Sequence, residues 1–165
     1  MYSLHDMASG AYAAMLRNLS AILDKAADRP ELIDARLAPD MYPLAQQVRI
    51  ACDHAAGTAA QLFGATADLP AGPDRSFAEM KARIAKTIAI VEAAGPAAGA
   101  EDKAIEIPLM DDLVLPVNGA QYVQAWAFPN FYFHVVTAYD ILRANGIQIG
   151  KRDYMAHIGP LIRRK

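Results

Sequence analysis

The chain is predicted to fold as an all-α four-helix bundle with a small β-hairpin between helices three and four. Three observations carry this expectation. Four long stretches place apolar residues at the three-and-four spacing that lines one face of a helix. Those stretches are bounded by capping residues and by glycine or proline stops. Between the third and fourth, the pattern changes to alternation around Asp111-Asp112.

Helix one is predicted from about Ser3 to Ala27. Ser3 and Asp6 have the spacing of a capping box, with the shorter Asp in place of Glu. Tyr12, Met15, Leu16, Leu19, Ile22, Leu23 and Ala26 share one face. Arg29-Pro30 ends the helix, because the residue before a proline is pushed out of the α region. A short turn over Glu31–Leu37 leads to helix two, for which Asp40 is the expected N-cap, with Pro43 tolerated in the first turn. Its stripe is Met41, Leu44, Val48, Ala51, Ala55, Ala59 and Leu62, and Gly64 is the expected stop.

Residues 65–75 hold two prolines and a glycine and read as irregular. Helix three opens on a capping box, Ser76 and Glu79, carries Phe77, Met80, Ile84, Ile88 and Val91 on one face, and stops at Gly95-Pro96. In the next stretch, Ile105, Ile107 and Leu109 alternate with other residues, as do Leu113, Leu115 and Val117. This predicts a hairpin, although Pro108 and Pro116 restrict its pairing. Helix four has Asn118 as N-cap and Gln121 three residues on. It is expected to run as one helix from about Gly119 to Asn145, kinked at Pro129, which removes a backbone donor. Its core stripe is Ala127, Phe131, His134, Ala138 and Ile141, with Gly146 as the stop. The long linker between helices three and four leaves room for a crossover, and the topology stays open at this stage.

A length of 165 residues suits one domain, over residues 1–165, with a sizeable core. A net charge of -2 argues against a nucleic-acid partner, and no apolar run is long enough for a membrane span. The start lacks the basic and apolar regions of a signal peptide, and one cysteine, Cys52, allows no intrachain disulfide. The expected compartment is therefore the cytoplasm. Asn18-Leu19-Ser20 fits a glycosylation sequon but falls mid-helix.

Two histidines carry the chemical interest. His134 lies on the inward stripe of helix four, with Asn130 one turn before it, and His54 lies mid-way along helix two. Bundles build metal sites from inward-pointing side chains on facing helices. Two histidines and an amide fall short of the three protein ligands of a catalytic zinc site, so His5 is considered as a third. The competing reading is a core histidine hydrogen-bonded to a neighbour. Cys52-Asp53-His54 cannot converge on one ion, since consecutive helical residues point about 100° apart, and Cys52 reads as a packing residue. Asn130, Trp126, Phe131 and Tyr12 are the expected lining of a pocket at the kink. Asp140 and Arg143 read as a surface pair, and His157 as solvated.

The segments APDMYPLAQQVRIACDHA (Ala38–Ala55), PNFYFHVVTAYDILRANG (Pro129–Gly146) and IGKRDY (Ile149–Tyr154) resemble a bacterial family of unknown function, DUF1993. That family is similar to the DinB/YfiT-like superfamily of inferred metalloenzymes, so the resemblance implies a DinB-like four-helix bundle. It also implies a metal site from one His of helix two and a His-x-x-x-His pair on helix four. His54 matches the first and His134 the second of the pair. Asn130 stands where the pair's first His would be, so the ligand set is incomplete.

Three functional expectations follow. The first is a bundle that binds a small molecule near His54 and His134 and whose metal site is degenerate. The second is a metal-dependent transferase or hydrolase, with zinc or nickel, acting on a small thiol or other metabolite; the superfamily it resembles includes thiol-dependent S-transferases and isomerases. The third is a non-catalytic homodimer. Trp126, Tyr132, Phe133 and Tyr139 exceed what one inward stripe of helix four can hold, and large exposed aromatic patches are uncommon on monomers.

Overall fold

A computed structural model describes residues 3–164. Its order is α1 (Leu4–Asp24), a 3-10 turn (Pro30–Asp34), α2 (Leu44–Phe63), α3 (Phe77–Ala93), β1 (Ile105–Pro108), β2 (Val114–Val117), α4 (119–144), α5 (Lys151–Tyr154) and a 3-10 turn (Ala156–Leu161). The all-α bundle with a hairpin between its third and fourth helices is thus the fold observed.

Cross-helix pairs fix the directions. His5, at the start of α1, packs edge-on against Phe63 at the end of α2 and lies 2.8 Å from the Ala94 carbonyl just past α3. Lys81, early in α3, pairs with Asp24 at the end of α1. Helices α2 and α3 therefore both run antiparallel to α1. Along α4, Gly119 abuts Leu62 while His134 reaches Gln47, so α4 runs antiparallel to α2. The result is an up-down-down-up bundle. Its parallel neighbours are α2 and α3, so the crossover falls in the connection 64–76. At up to about 3.3–3.6 Å per residue, that connection can cover the roughly 30 Å length of α2.

The apolar stripes form one core. Tyr12, Leu16, Leu19 and Leu23 of α1 meet Leu44, Val48, Ala51 and Ala55 of α2, Met80 and Ile84 of α3, and Phe131, Ala138 and Ile141 of α4. Ser3 and Asp6 form the expected capping box. Ser76 accepts from the Glu79 N–H, but Glu79 Oε2 accepts from Arg75 N–H rather than from Ser76.

Three local expectations change. Helix α2 starts at Leu44 with Pro43 as its N-cap, so Asp40 and Met41 lie outside it. The reason is Tyr42, which precedes a proline and is disfavoured from helical backbone. Helix α4 is continuous, but its backbone ahead of Pro129 is not regular α-helix: Tyr122–Ala127 form a π-helical stretch. Residues flanking it, Gln121 and Phe128, keep helical dihedrals, and the Phe128 N–H bonds five residues back to Val123. One extra residue per turn accommodates the missing donor of Pro129 without ending the helix. The surface pair expected between Asp140 and Arg143 does not form among the described residues.

A buried ion pair holds the crossover on the bundle. Arg83 of α3 donates from Nε and Nη2 to Asp74, at 2.8 and 3.1 Å, and from Nη2 to the Gly72 carbonyl at 3.2 Å. Both charges are buried. Gly119 sits where two backbones approach closely, since a Cβ there would lie 1.8 Å from the Ala100 carbonyl oxygen. In the hairpin, Ile105 pairs with Val117 and Pro108 with Val114. Asp111 and Asp112 both take φ of 58°, and the Leu113 N–H returns to Met110 at 3.2 Å, as in a type I′ turn.

Candidate functional site

The amide of Gln47 organises the site. Its Nε2 donates to the Tyr42 carbonyl at 3.0 Å, where the chain enters α2. A carbonyl only accepts, so this bond fixes which way the amide points. Its Oε1 then faces His134 Nδ1 at 2.6 Å. An amide oxygen only accepts, so Nδ1 carries the proton and Nε2 keeps the lone pair. Gln47 is buried, and nothing in the apolar pattern distinguishes it from a surface residue of the first turn.

His134 and His54 do come together. Their rings lie 6.2 Å apart between centroids, with planes 17° from parallel. His134 is buried and His54 half-buried. Burial pushes the pKa of His134 down to about 4, and the neighbouring His54 adds to the shift. Burial also lowers that of His54, against an opposing pull from Asp53. Both rings therefore favour the neutral form at pH 7.

Asn130 serves the helix instead of the histidines. Its Nδ2 donates to the Trp126 carbonyl at 2.7 Å, inside the π-helical stretch. Tyr12 and Phe131 are fully buried and meet edge to face at 4.8 Å. The Thr58 hydroxyl donates to the His54 carbonyl at 2.8 Å, so the Tyr12 hydroxyl, 3.0 Å away, must be the donor to Thr58. That relay ties α1 to the backbone of His54. Trp126 is half-buried against the core.

Open cavities lie elsewhere among the described residues. One of about 570 Å³ runs between the ends of α2 and α3, beside Phe63, Lys86 and Ile90. Another of about 420 Å³ sits beside His5, Ser9 and Arg17. Neither includes His54, His134, Asn130, Trp126, Phe131 or Tyr12.

His5 is not a third ligand. It is bound to the Ala94 carbonyl and packed on Phe63, at the far end of α2 from Gln47. Among the described residues, no group of three or more His, Cys, Asp or Glu could hold a metal ion. The donor set therefore does not fit the three-ligand centre that the fold family implies. Cys52 is fully buried, and burial pushes its thiol up to about 12, which keeps it protonated and inert. His157 is exposed but not free, because its Nδ1 lies 2.7 Å from Asn18 Nδ2. Asn18 is itself buried against the C-terminal segment.

An up-down-down-up bundle with a histidine pair between α2 and α4 is a DinB-like protein. The chain belongs to the family described as Domain of unknown function (DUF1993), which matches residues 4–155. A crystal structure of a DinB family member protein from Shewanella denitrificans is similar to it, with a TM-score of 0.80 and 36% identity over 92% of this chain and 91% of that one. No curated protein matches the chain. No helix among the described residues is long and apolar enough to cross a membrane.

Proposed function

We propose that this protein binds a small molecule at the His54–His134 pair and that its metal site is degenerate. One observation carries the reading. The residue that would complete a three-ligand set, Asn130, donates its amide to the Trp126 carbonyl, while Gln47 holds His134 as a neutral acceptor at Nε2. Two neutral imidazoles suit a molecule that brings hydrogen-bond donors, such as a hydroxyl, an amine or a thiol. The buried partners of His134 are fixed before any ligand arrives, which lowers the ordering cost of binding. Imidazole nitrogen shifts, followed by NMR while small polyols, amines and thiols are added, test this. Saturable shifts at both histidines are expected, and silence across all three classes counts against the reading.

The metal-dependent transferase or hydrolase remains a second reading, and Gln47 is the observation in its favour. A metal-bound histidine commonly donates its other ring N–H to a carbonyl, which is the role Oε1 plays here. That reading requires a further donor beyond His54 and His134. Metal analysis of protein purified without a histidine tag separates the two. About one zinc or nickel per chain, lost in His54→Ala, would replace the first reading with the second.

A further inference from the structure

Two exposed surfaces of this chain are complementary in polarity and in charge. The first is the hairpin tip. Leu109, Met110, Leu113 and Val114 are all exposed, Met110 by 82%. Asp111 and Asp112 lie between them in left-handed backbone, which among non-glycine residues short polar side chains adopt most readily. Ile105 and Ile107 join the hairpin to the core, whereas the apolar tip lies outside it. The second surface is the C-terminal segment. Leu161 and Ile162 are 75% and 73% exposed, and the exposed Arg163 and Arg164 follow directly.

We propose that the hairpin tip of one copy docks on the C-terminal segment of a second copy. Apolar residues meet apolar residues, and the two carboxylates meet the two guanidinium groups. The same contact made reciprocally closes a two-fold dimer. This proposal stands independently of the His54–His134 reading.

The chain's own C-terminal segment is poorly placed to reach its own hairpin. Asn18 Nδ2 donates to the Tyr154 carbonyl at 2.9 Å, and Lys25 pairs with Asp153 at 2.6 Å, so the segment starts beside the second half of α1. The hairpin leaves the bundle at the opposite end, where α1 and α4 begin. Asn18 is about 20 Å along the helix axis from that end, at 1.5 Å per residue. In a dimer, apolar burial supplies affinity, while the exposed charges set register and partner choice and contribute little themselves.

Introduced cysteines test the contact directly, because the native Cys52 is buried and gives no background. A mixture of Met110→Cys and Leu161→Cys proteins should form a disulfide-linked pair under mild oxidation, and neither variant alone should do so. Wild-type protein should sediment as a dimer. Arg163→Glu/Arg164→Glu and Met110→Ser/Leu113→Ser should each shift it to a monomer that keeps the helical far-UV signal of the folded chain. Sedimentation of the wild type as a single 17.8 kDa chain would overturn the proposal. So would a dimer indifferent to both double variants, or a mixture that fails to cross-link.

Discussion

Gln47 and His134 meet at 2.6 Å across the α2–α4 interface, and that bond sets the tautomer of the imidazole. Both groups are buried, so neither has water as a substitute partner. Gln47→Met should therefore leave a buried Nδ1–H unpaired and cost about 1–3 kcal/mol in urea unfolding. Gln47→Glu should act differently. A carboxylate beside the ring favours the imidazolium, so the His134 pKa should rise from about 4 toward or beyond its ordinary value. An NMR titration that finds the His134 pKa unchanged in Gln47→Glu would remove this bond from the account.

Stability should depend on pH in a window set by the histidines. His134 takes a proton near 6.5 when unfolded but near 4 when folded, so the unfolded chain binds more protons between those values. Its contribution is complete above about pH 6.5 and is lost as pH falls toward 4. The full shift corresponds to at most about 3 kcal/mol. His54 shifts in the same direction. The lowered carboxylates of Asp6 and Asp153 act mainly below this window. Urea midpoints should fall between pH 7 and pH 5 in the wild type and change much less in His134→Gln. A wild-type midpoint constant over that range would contradict the burial-driven shift.

Much of this arrangement is local and therefore legible in the sequence. Ser3, Ser76 and Asn118 act within one helical turn, and the stripes through Leu16, Val48 and Phe131 need only the 3.6 period. The alternation around Asp111-Asp112 likewise shows the hairpin. The approach of His54 to His134 follows from two inward positions on facing helices. Gln47 escapes because its burial depends on where α4 crosses α2, and a polar residue in a first turn looks like any solvated one. Arg83 and Asp74 escape for a similar reason, since one sits on a helix and the other in an irregular crossover. Pro129 announces a defect in α4, but how the backbone absorbs it depends on the packing around residues 122–127.

The Arg83–Asp74 pair should behave as two charges that need each other. Asp74→Ala leaves a guanidinium 1% exposed with no counter-charge, and such losses cost about 3–5 kcal/mol. The double variant Asp74→Ala/Arg83→Met removes both charges and should be less destabilised than Asp74→Ala alone. Denaturant unfolding of the two singles and the double measures the coupling. Additive losses would mean that the pair does not hold the crossover.

Asn130→His tests whether the site is one ligand short. The position lies four residues before His134 on α4, so the substitution places a second imidazole on the same helical face, one turn away. With His54 from α2, three nitrogen donors then become available, the number that a catalytic zinc site takes from protein. The cost is local. The Trp126 carbonyl loses its 2.7 Å donor in the π-helical stretch, so the apo variant should be less stable by about 1 kcal/mol. Zinc should offset this, because a ligand that binds the folded state raises its stability. Equilibrium dialysis should find about one zinc per chain in the variant, little in the wild type, and none in Asn130→His/His54→Ala. Stoichiometric zinc in the wild type would show that two histidines suffice, and zinc binding that survives His54→Ala would place the ion away from the pair.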